Sequence, residues 1–230
     1  MSETAYRQIR YARPPGACEI LLVRHGESEE ARPDHPFPLV DGQGDPALHP
    51  NGEDQARRVA ERLAGESIDA VYVSSLRRTL LTAAPLLAKL GIEPVVEPDL
   101  REVHLGEWEG GAYRRHLSEG HPLVRQVLTE ERWDVIPGAE PAEAFAARVR
   151  GAIGRIAAGH PDRTVVAFTH GGVIGQVLAL AAGARPFTFV GADNGSISQV
   201  VVMGDRWGVR RYNDTAHLHA GFTILPEPPT

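Results

Sequence analysis

Cysteine is nearly absent from the 230-residue sequence, which contains only Cys18. A single thiol excludes an internal disulfide framework and a zinc site built from four cysteines. Cys18 stands at the start of an aliphatic segment, where a packing role is favoured over a chemical one.

Long apolar runs are also missing. No segment approaches the roughly 18 consecutive apolar residues that a membrane-spanning helix needs. Residues 1–15 include Glu3, three arginines and two prolines, and they lack the apolar centre of a signal peptide. We therefore expect a cytoplasmic protein with no membrane partner and with flexible ends at residues 1–15 and 224–230.

Clusters of positive charge are the third absence. Lysine and arginine total 24 against 30 aspartates and glutamates, a formal net charge of −6, and the two signs are mixed along the chain. No stretch is basic enough to indicate a nucleic-acid partner. Apolar residues make up 42% of the sequence, enough for a sizeable core. We expect a single domain whose core covers residues 18–215.

Strands and helices are predicted to alternate in the first half of the chain. Residues 20–23 form a continuous aliphatic run typical of a strand buried on both faces. Further strands are predicted at 69–74 and 93–97, and helices at 51–64 and 76–90. This βαβ alternation indicates an α/β fold with a mainly parallel sheet. A strand at 163–169, a helix at 171–182 and a hairpin of strands 196–203 and 206–212 follow.

Two regions interrupt the alternation. Residues 29–49 are rich in proline and glycine and are predicted to be a loop, and a loop of that length is more often functional than idle. Residues 105–161 contain helical patterns at 111–131 and 142–158 with no strand between them. We interpret this second region as a helical excursion from the sheet.

The chemistry is predicted at the ends of three strands. Arg24 and His25 follow the strand at 20–23, and Gly26 permits a sharp turn and a close ligand. His170 and Arg78 follow two other strands, each at the start of a helix. A lone histidine at a strand end is usually a capping residue or a surface residue with no chemical role. However, ligands of open α/β sheets bind at the carboxyl ends of the strands. Arginine forms paired hydrogen bonds to phosphate, and neutral histidine can act as a nucleophile. Together these groups predict phosphoryl chemistry.

Five segments, in order, resemble the histidine phosphatase superfamily, also called the phosphoglycerate mutase-like superfamily. They cover most of the chain, from about residue 20 to residue 198. The matching residues are Arg24-His25-Gly26-Glu27-Ser28, Asp45-Pro46-Ala47-Leu48 with Asn51-Gly52 and Gln55-Ala56, the segment 74–83 with Arg78, Leu100-Arg101-Glu102 with 106–110, and Thr169-His170-Gly171-Gly172.

The resemblance implies a fold and a set of roles. The fold would be a three-layer sandwich, a mostly parallel central sheet flanked by helices, with the helical excursion over the active site. His25 would attack phosphorus, and Glu102 would protonate the leaving alcohol and then activate water. Arg24, Arg78 and a cationic His170 would hold the phosphoryl oxygens, together with Ser28 and the backbone N–H near Gly171. No metal and no cofactor are implied.

The sequence departs from the family pattern at two places. The family often has asparagine where this chain has Ala31, so one phosphate contact is lost or is supplied by the neighbouring loop. The family's Pro-Gly-Gly-Glu-Ser appears here as Pro137-Gly138-Ala139-Glu140-Pro141. Because proline is acceptable at a first helical position, we expect little effect from the second change.

Other candidate residues have a plainer interpretation. Glu107 and Glu109 are carboxylates near Glu102 that are expected to be solvated. Adjacent residues on a helix point about 100° apart, so Arg114 and Arg115 are more readily explained by an exposed face than by binding of a substrate carboxylate or second phosphate. His104 borders the site. His217 and His219 alternate on a strand-like segment and lack the further ligands that a metal site needs.

The leading prediction is a metal-independent phosphatase acting on a small phosphate monoester. A phosphoglycerate mutase is the nearest alternative, but the mutases carry a longer insertion than the 68 positions from Glu102 to His170. A non-catalytic phosphoester-binding protein is the second alternative, against which the intact His25, Arg78, Glu102 and His170 argue. The natural substrate is not readable from the sequence, and the oligomeric state, with a homodimer as one option, stays open.

Overall fold

A computed structural model of the chain describes residues 6–219 and Gly221. Its strands are β1 (Cys18–Arg24), β2 (Leu39–Val40), β3 (Gln43–Gly44), β4 (Ala70–Val73), β5 (Val95–Val96), β6 (Thr164–Thr169), β7 (Ile197–Met203) and β8 (Arg206–Asp214). Its α-helices are α1 (Pro50–Leu63), α2 (Arg77–Leu90), α3 (Ala112–Ser118), α4 (Pro122–Glu130), α5 (Ala142–Gly159) and α6 (Gly171–Ala182).

The central sheet has six strands in the order β5-β4-β6-β1-β7-β8. The first four strands run parallel, and β7 and β8 add an antiparallel edge. Strand β1 lies in the middle, and its register with β6 pairs Arg24 with Thr169. The residues that follow these two strands, His25 and His170, are therefore delivered side by side at the carboxyl edge of the sheet.

The two faces of β1 pack into separate apolar clusters. Ile20 and Leu22 lie in a cluster with residues of α5 and α6, whereas Leu21 and Val23 lie in one with residues of α1 and α2. Successive side chains of a strand point to opposite faces, so a strand that is aliphatic throughout needs helices on both sides. The predicted three-layer α/β sandwich is confirmed, and so is the hairpin at Gly204 and Asp205.

The helical excursion differs from the prediction in one respect. A single helix was expected over 111–131, but the structure has two, α3 and α4, with the break before Pro122. Proline cannot continue a preceding helix but suits a first turn, and the His121 side chain caps α4 by accepting the Leu123 N–H at 3.2 Å. Trp108, Val127 and Ile136 form a small core of the excursion.

The loop at 29–49 also contains structure that was not predicted. Strands β2 and β3 form a small hairpin, with Asp41 and Gly42 at its turn, both in the left-handed region with φ values of 49° and 81°. An Asp-Gly pair is typical of such a two-residue turn. The strand-like assignment of residues 217–219 is wrong, because β8 ends at Asp214 and residues 216–218 form a turn.

The chain ends were expected to be flexible. Residues 1–5 and 224–230 lie outside the described residues. Residues 6–14 have no helix or strand, but Arg13 is bonded to the sheet through Thr164 Oγ1 at 3.0 Å. Among the described residues, no helix combines the length and the hydropathy needed to cross a membrane.

The turn after His25 is held against α1 by two glycines. A Cβ placed on Gly26 or on Gly52 would overlap main-chain atoms of the other segment, those of Gly52 and Glu27 respectively. The Gly26 N–H also donates to Thr82 Oγ1 at 2.9 Å. The position of the turn is therefore fixed by close packing of main chain on main chain and by the Thr82 hydroxyl.

Candidate active site

Two histidines face each other at the carboxyl edge of the sheet. The rings of His25 and His170 have centroids 5.1 Å apart and planes inclined at 60°. Their exposed fractions are only 5% and 0%. Because β1 and β6 are neighbouring parallel strands in register, this pair follows directly from the sheet topology.

His25 is oriented by its own turn. Its Nδ1 lies 2.7 Å from the Gly26 carbonyl oxygen, a group that can only accept, so Nδ1 carries the proton and Nε2 keeps its lone pair. Burial lowers the pKa of His25 well below its ordinary value, and the charges of Arg78 and Arg24 lower it further. The imidazole is therefore neutral at physiological pH, which is the nucleophilic form.

His170 is held by a hydroxyl from the neighbouring strand end. Its Nε2 lies 2.8 Å from Ser74 Oγ, and its buried Nδ1 has no hydrogen-bond partner in the described part of the chain. Burial lowers the pKa of His170 well below its ordinary value, with Arg78 and His25 as further causes. The expectation of a histidine cation here is wrong for the protein by itself, because an apolar setting beside a guanidinium disfavours a second positive charge.

Two arginines supply the positive charge instead. The Arg24 Nη1 donates to the Ala192 carbonyl at 2.5 Å. The Arg78 Nη1 donates to the Gly44 carbonyl at 2.9 Å and lies 3.9 Å from Asp45 Oδ1. Burial lowers the pKa of Arg78 to about 10, a shift that the charges of Glu102 and Asp45 oppose. Both guanidinium groups thus stay charged at neutral pH.

Glu102 comes from the loop after the short 3₁₀ helix Pro98–Leu100. Its Oε2 accepts the Gly172 N–H at 3.1 Å, in the first turn of α6, and its Oε1 accepts its neighbour's N–H, that of Val103, at 3.0 Å. The free N–H groups and the dipole at a helix N-terminus favour a carboxylate there. Burial lowers the pKa values of Arg24 and Arg78, and the negative charge of Glu102 opposes this lowering. The carboxylate therefore lies close to both guanidinium groups.

The sequence model that describes the histidine phosphatase superfamily (branch 1) matches residues 20–215 of the chain. The chain belongs to this superfamily. Membership makes it an enzyme of the phosphoric monoester hydrolase type, as the family resemblance implied.

Relatives and solved structures are similar over nearly the whole domain. Phosphoglycerate mutase-like protein 4 of Arabidopsis thaliana is 35% identical, with 87% of each chain covered. The metal-independent phosphoserine phosphatase of the same plant is 31% identical, with 87% of this chain and 83% of the relative covered. The native structure of a mycobacterial glucosyl-3-phosphoglycerate phosphatase superposes with a TM-score of 0.70 at 28% identity, covering 86% of this chain and 100% of that one.

The structure places the remaining predicted contact residues of this superfamily site as follows. Gly171 is the first residue of α6, and a Cβ on it would lie 3.4 Å from Arg24 Nε. Ser28 is buried, and its Oγ accepts a hydrogen bond from Arg114 Nη2 at 2.6 Å. The five residues predicted as catalytic thus converge at one edge of the sheet, while the Ser28 hydroxyl is engaged with a neighbouring side chain.

The carboxylates weighed beside Glu102 have different surroundings. Glu109 accepts the N–H groups of Leu105 at 2.8 Å and Gly44 at 2.7 Å, so it ties β3 to the excursion and is not the solvated residue expected. Glu107 is exposed as expected. His104 bonds within its own loop, accepting the Gly106 N–H at 3.1 Å.

Two further expectations concern arginine and histidine. Arg114 and Arg115 are both exposed, as expected, and the Arg114 guanidinium also contacts the segment after His25. His217 bonds to the Gly195 carbonyl at 2.9 Å, and the described residues contain no group of three or more histidine, cysteine, aspartate or glutamate side chains placed to hold a metal.

Three residues of the site were not identified from the sequence. Ser74 orients His170, Tyr113 lies close enough to Glu102 for that charge to raise its pKa alongside burial, and Arg148 supports the Glu102 loop. Ser74 belongs to a segment that the superfamily pattern includes, so its place at a strand end was a usable signal. Arg148 and Tyr113 lie in helices of the excursion, where nothing in the local sequence shows which way a side chain points.

Proposed function

We propose that the chain is a metal-independent phosphatase that hydrolyses a small phosphate monoester through a phosphohistidine on His25. The observation that carries this proposal is the geometry of His25, whose Nδ1–H is fixed by the Gly26 carbonyl so that Nε2 is free beside two charged guanidinium groups. A transferring phosphoryl group needs an aligned nucleophile and positive charge on its equatorial oxygens.

The first half-reaction breaks the ester bond. Nε2 of His25 attacks phosphorus and the bond from phosphorus to the ester oxygen breaks. Glu102 gives the leaving alkoxide a proton, which this carboxylate must take up before the step. Arg24 and Arg78 hold the phosphoryl oxygens, and the unpartnered Nδ1 of His170 is available to them as well. An alkoxide leaves poorly, so a positioned carboxylic acid lowers the barrier.

The second half-reaction restores the enzyme. The Glu102 carboxylate takes a proton from water, the water oxygen attacks phosphorus, and the bond between phosphorus and Nε2 breaks. Phosphate leaves, His25 is neutral again and Glu102 is protonated for the next cycle. No step requires a metal, because Arg24 and Arg78 supply the positive charge.

A mutase activity is the second candidate, favoured by the relative named phosphoglycerate mutase-like protein. It would use the same first half-reaction and return the phosphoryl group to a hydroxyl of the substrate. The relatives named as phosphatases of phosphoserine and of glucosyl-3-phosphoglycerate favour water as the acceptor. The cytoplasmic location, the homodimer and the absence of nucleic-acid and membrane partners stay predictions.

Phosphate release from a panel of sugar phosphates, phosphoglycerates, nucleotides and phosphoamino acids tests the proposal. We expect His25→Ala to lose more than about 10³-fold in kcat/KM, because the nucleophile is removed. The exposed His219→Ala is the matched control and should keep full activity. Wild type should form an acid-labile, base-stable phosphoenzyme and keep its rate in excess chelator.

Three results would contradict the proposal. Equal turnover by wild type and His25→Ala would remove His25 as the nucleophile. Loss of activity in chelator would show that a metal ion, and not Arg24 and Arg78, supplies the positive charge. A phosphoryl group that returns to glycerate hydroxyls faster than phosphate is released would favour the mutase.

A further inference from the structure

The turn that precedes β7 lies against the backbone of the candidate nucleophile. The Ser196 N–H donates to the Asp193 carbonyl at 3.0 Å, which closes a four-residue turn with Asn194 and Gly195 at its centre. Gly195 has a φ of 72°, a left-handed value typical of the third residue of a type II turn. A Cβ on Gly195 would lie 3.2 Å from Gln55 Cβ, so the turn also packs closely on α1.

The pairing of β1 with β7 continues into this turn and ends at His25. The Arg24 N–H donates to the Ser196 carbonyl, and the Gly195 N–H donates to the Arg24 carbonyl, both at 3.1 Å. The next carbonyl, that of His25, lies 3.4 Å from the Gly195 nitrogen and accepts a shorter bond from Asn194 Nδ2 at 2.9 Å. A carbonyl can only accept, so the amide nitrogen must face it. A side-chain donor thus replaces the main-chain donor where the ladder stops.

The bond from Asn194 is one of two that hold the peptide group between His25 and Gly26. The oxygen of this peptide accepts the Asn194 amide, and its N–H donates to Thr82 Oγ1 at 2.9 Å. Glycine leaves such a peptide free to rotate unless its polar groups are bonded. The imidazole depends on this peptide, because the Nδ1–H of His25 donates to the carbonyl on the far side of the same glycine. Rotation of the peptide would therefore move Nε2.

The backbone of Asn194 is held independently of its side chain. The Asp193 N–H donates to Asn213 Oδ1 at 2.7 Å, and Asn213 Nδ2 donates to Asp193 Oδ2 at 2.8 Å. Asn213 itself has a φ of 53° and donates its N–H to Ser198 Oγ at 3.2 Å. This pair ties the turn to β8, so a substitution of the Asn194 side chain leaves the turn in place.

We propose that Asn194 is a positioning residue for the nucleophile, whose side-chain amide fixes the peptide after His25 and thereby orients Nε2 towards phosphorus. The inference rests on the proposed function, since it assumes that His25 attacks the phosphoryl group. A misplacement of a reacting atom by about 1 Å can cost about 100-fold in rate. The phosphoryl clamp is held separately, because the Arg24 guanidinium donates to the Ala192 carbonyl and that of Arg78 donates to the Gly44 carbonyl.

Asn194→Ala separates the alignment of the nucleophile from the binding of phosphate. The probe is p-nitrophenyl phosphate, whose phenolate needs little protonation on leaving, so that its rate reports on His25 more than on Glu102. We expect a loss of about 10- to 100-fold in kcat/KM and in the single-turnover rate of phosphoenzyme formation. The inhibition constant of inorganic phosphate should change less than about threefold, because both guanidinium groups stay in place.

Asn194→Asp keeps the shape of the side chain and makes the donor depend on pH. An ionised carboxylate cannot donate to the His25 carbonyl, so the loss near neutral pH should be at least as large as in Asn194→Ala. A protonated carboxyl can donate. The rate of Asn194→Asp relative to wild type should therefore rise at least about fivefold between about pH 7 and about pH 4.5, whereas that of Asn194→Ala stays constant.

Asn213→Gly is the structural comparator. Glycine keeps the left-handed backbone of this position, but the two bonds to Asp193 are lost. We expect a thermal midpoint at least as low as that of Asn194→Ala, with less than about threefold loss in the single-turnover rate, because the bond from Asn194 to His25 remains. Rates that fall in proportion to the thermal midpoint in both variants would show that Asn194 only stabilises the turn, which overturns the inference.

Two other results would also overturn it. One is a wild-type single-turnover rate in Asn194→Ala, and the other is an Asn194→Asp rate with the same pH dependence as that of Asn194→Ala. Failure of the proposed function would appear elsewhere, as phosphate release that survives His25→Ala. If His25→Ala is inactive as proposed, adding Asn194→Ala to it should cost less than about twofold in residual activity, because no nucleophile is left to orient. A larger additional loss would show that Asn194 acts at another group and would reject the inference.

Discussion

At the scale of single residues, backbone groups orient the side chains of the candidate site. The Gly26 carbonyl fixes which nitrogen of His25 is free, and two backbone N–H groups hold both oxygens of Glu102. Neither interaction depends on the identity of a neighbouring side chain. The chemistry is therefore preorganised by the turns at the ends of β1 and before α6.

Gly172 provides a direct test of the position of Glu102. A Cβ on Gly172 would overlap Glu102 Oε1, the far end of a flexible side chain, and not main chain. We expect Gly172→Ala to fold normally and to lose about 10- to 1,000-fold in kcat, because the proton donor is displaced while the phosphoryl clamp stays in place. Steady-state kinetics and a thermal melt measure both effects.

Gly154→Ala is the control for adding a methyl group within a helix. A Cβ there meets no atom within 4 Å, and the position is inside α5. It should leave kcat unchanged and stabilise the protein by roughly 0.5–1 kcal/mol, since alanine favours the helix. A Gly172→Ala enzyme with wild-type kcat would show that Glu102 has no part in proton transfer.

The positions of the candidate residues could be predicted from the sequence better than their charge states. His25, Arg24, Arg78, Glu102 and His170 follow strands or belong to short motifs, and the structure brings them to one edge of the sheet, whereas their catalytic roles stay predictions. The lowered pKa of His170 and the bonds of Arg114 to the segment after His25 were not predicted. Both depend on burial and on neighbours brought together by the fold, which local sequence does not encode.

At the scale of secondary-structure elements, Arg148 joins α5 to the loop that carries Glu102. Its guanidinium donates to the carbonyls of Asp99 and Arg101, both at 2.7 Å, and of Glu102 at 2.9 Å. It also binds Glu140 through two nitrogens at 2.7 and 2.8 Å. One side chain thus satisfies three carbonyls of an irregular loop, which only the planar fork of arginine can do.

We expect Arg148→Met to lower the free energy of unfolding by about 1–3 kcal/mol, because the carbonyls of Asp99 and Arg101 and the Glu140 carboxylate lose their bonds to the guanidinium. It should also lower kcat at least about tenfold with little change in KM, since the loop carries the proton donor and not the phosphoryl clamp. Urea unfolding and steady-state kinetics give the two values.

Arg150→Met, two residues further along α5, is the matched control. Its guanidinium lies 5.6 Å from the centre of the Trp207 ring and makes no hydrogen bond to the Glu102 loop among the described residues. The substitution should lower the free energy of unfolding by less than about 1 kcal/mol and leave kcat unchanged. If Arg148→Met also kept its kcat, the bonds from Arg148 to the Glu102 loop would stabilise the fold without affecting the reaction.

The elements themselves were predicted to different degrees. Strands with continuous aliphatic runs and helices with clear periodicity were found close to their observed bounds. The division of 111–131 into α3 and α4 was signalled by Pro122, which was not weighed. The hairpin of β2 and β3 was missed because its strands have two residues each, too few to show an alternating pattern.

At the scale of the whole molecule, the single thiol lies at the start of β1, an interior strand of the sheet. Cys18 is fully buried at 0% exposure, and burial raises its pKa to about 11. Only the thiolate reacts with disulfide reagents, so the native protein should be inert to them. Reaction requires an opening that separates β1 from its neighbours, and because β1 is central, that opening is global unfolding.

We therefore predict that a chromogenic disulfide labels one thiol per chain in denaturant and almost none in native buffer at pH 8. The slow native rate should rise with added urea in parallel with the unfolding equilibrium. Activity should be unaffected during native incubation, since Cys18 is remote from the reacting groups along β1. Rapid native labelling would contradict the placement of Cys18 in a closed core.

The contact of Gly26 with Gly52 has a consequence for protein engineering. The turn after His25 packs on α1 through main-chain atoms, so exchanges of side chains elsewhere leave that contact intact. Positions of the excursion at 105–161 that bond neither to the segment after His25 nor to the Glu102 loop can then be varied without re-aligning His25. Library design for new substrates should hold the two glycines constant as a linked pair and place all diversity in the excursion.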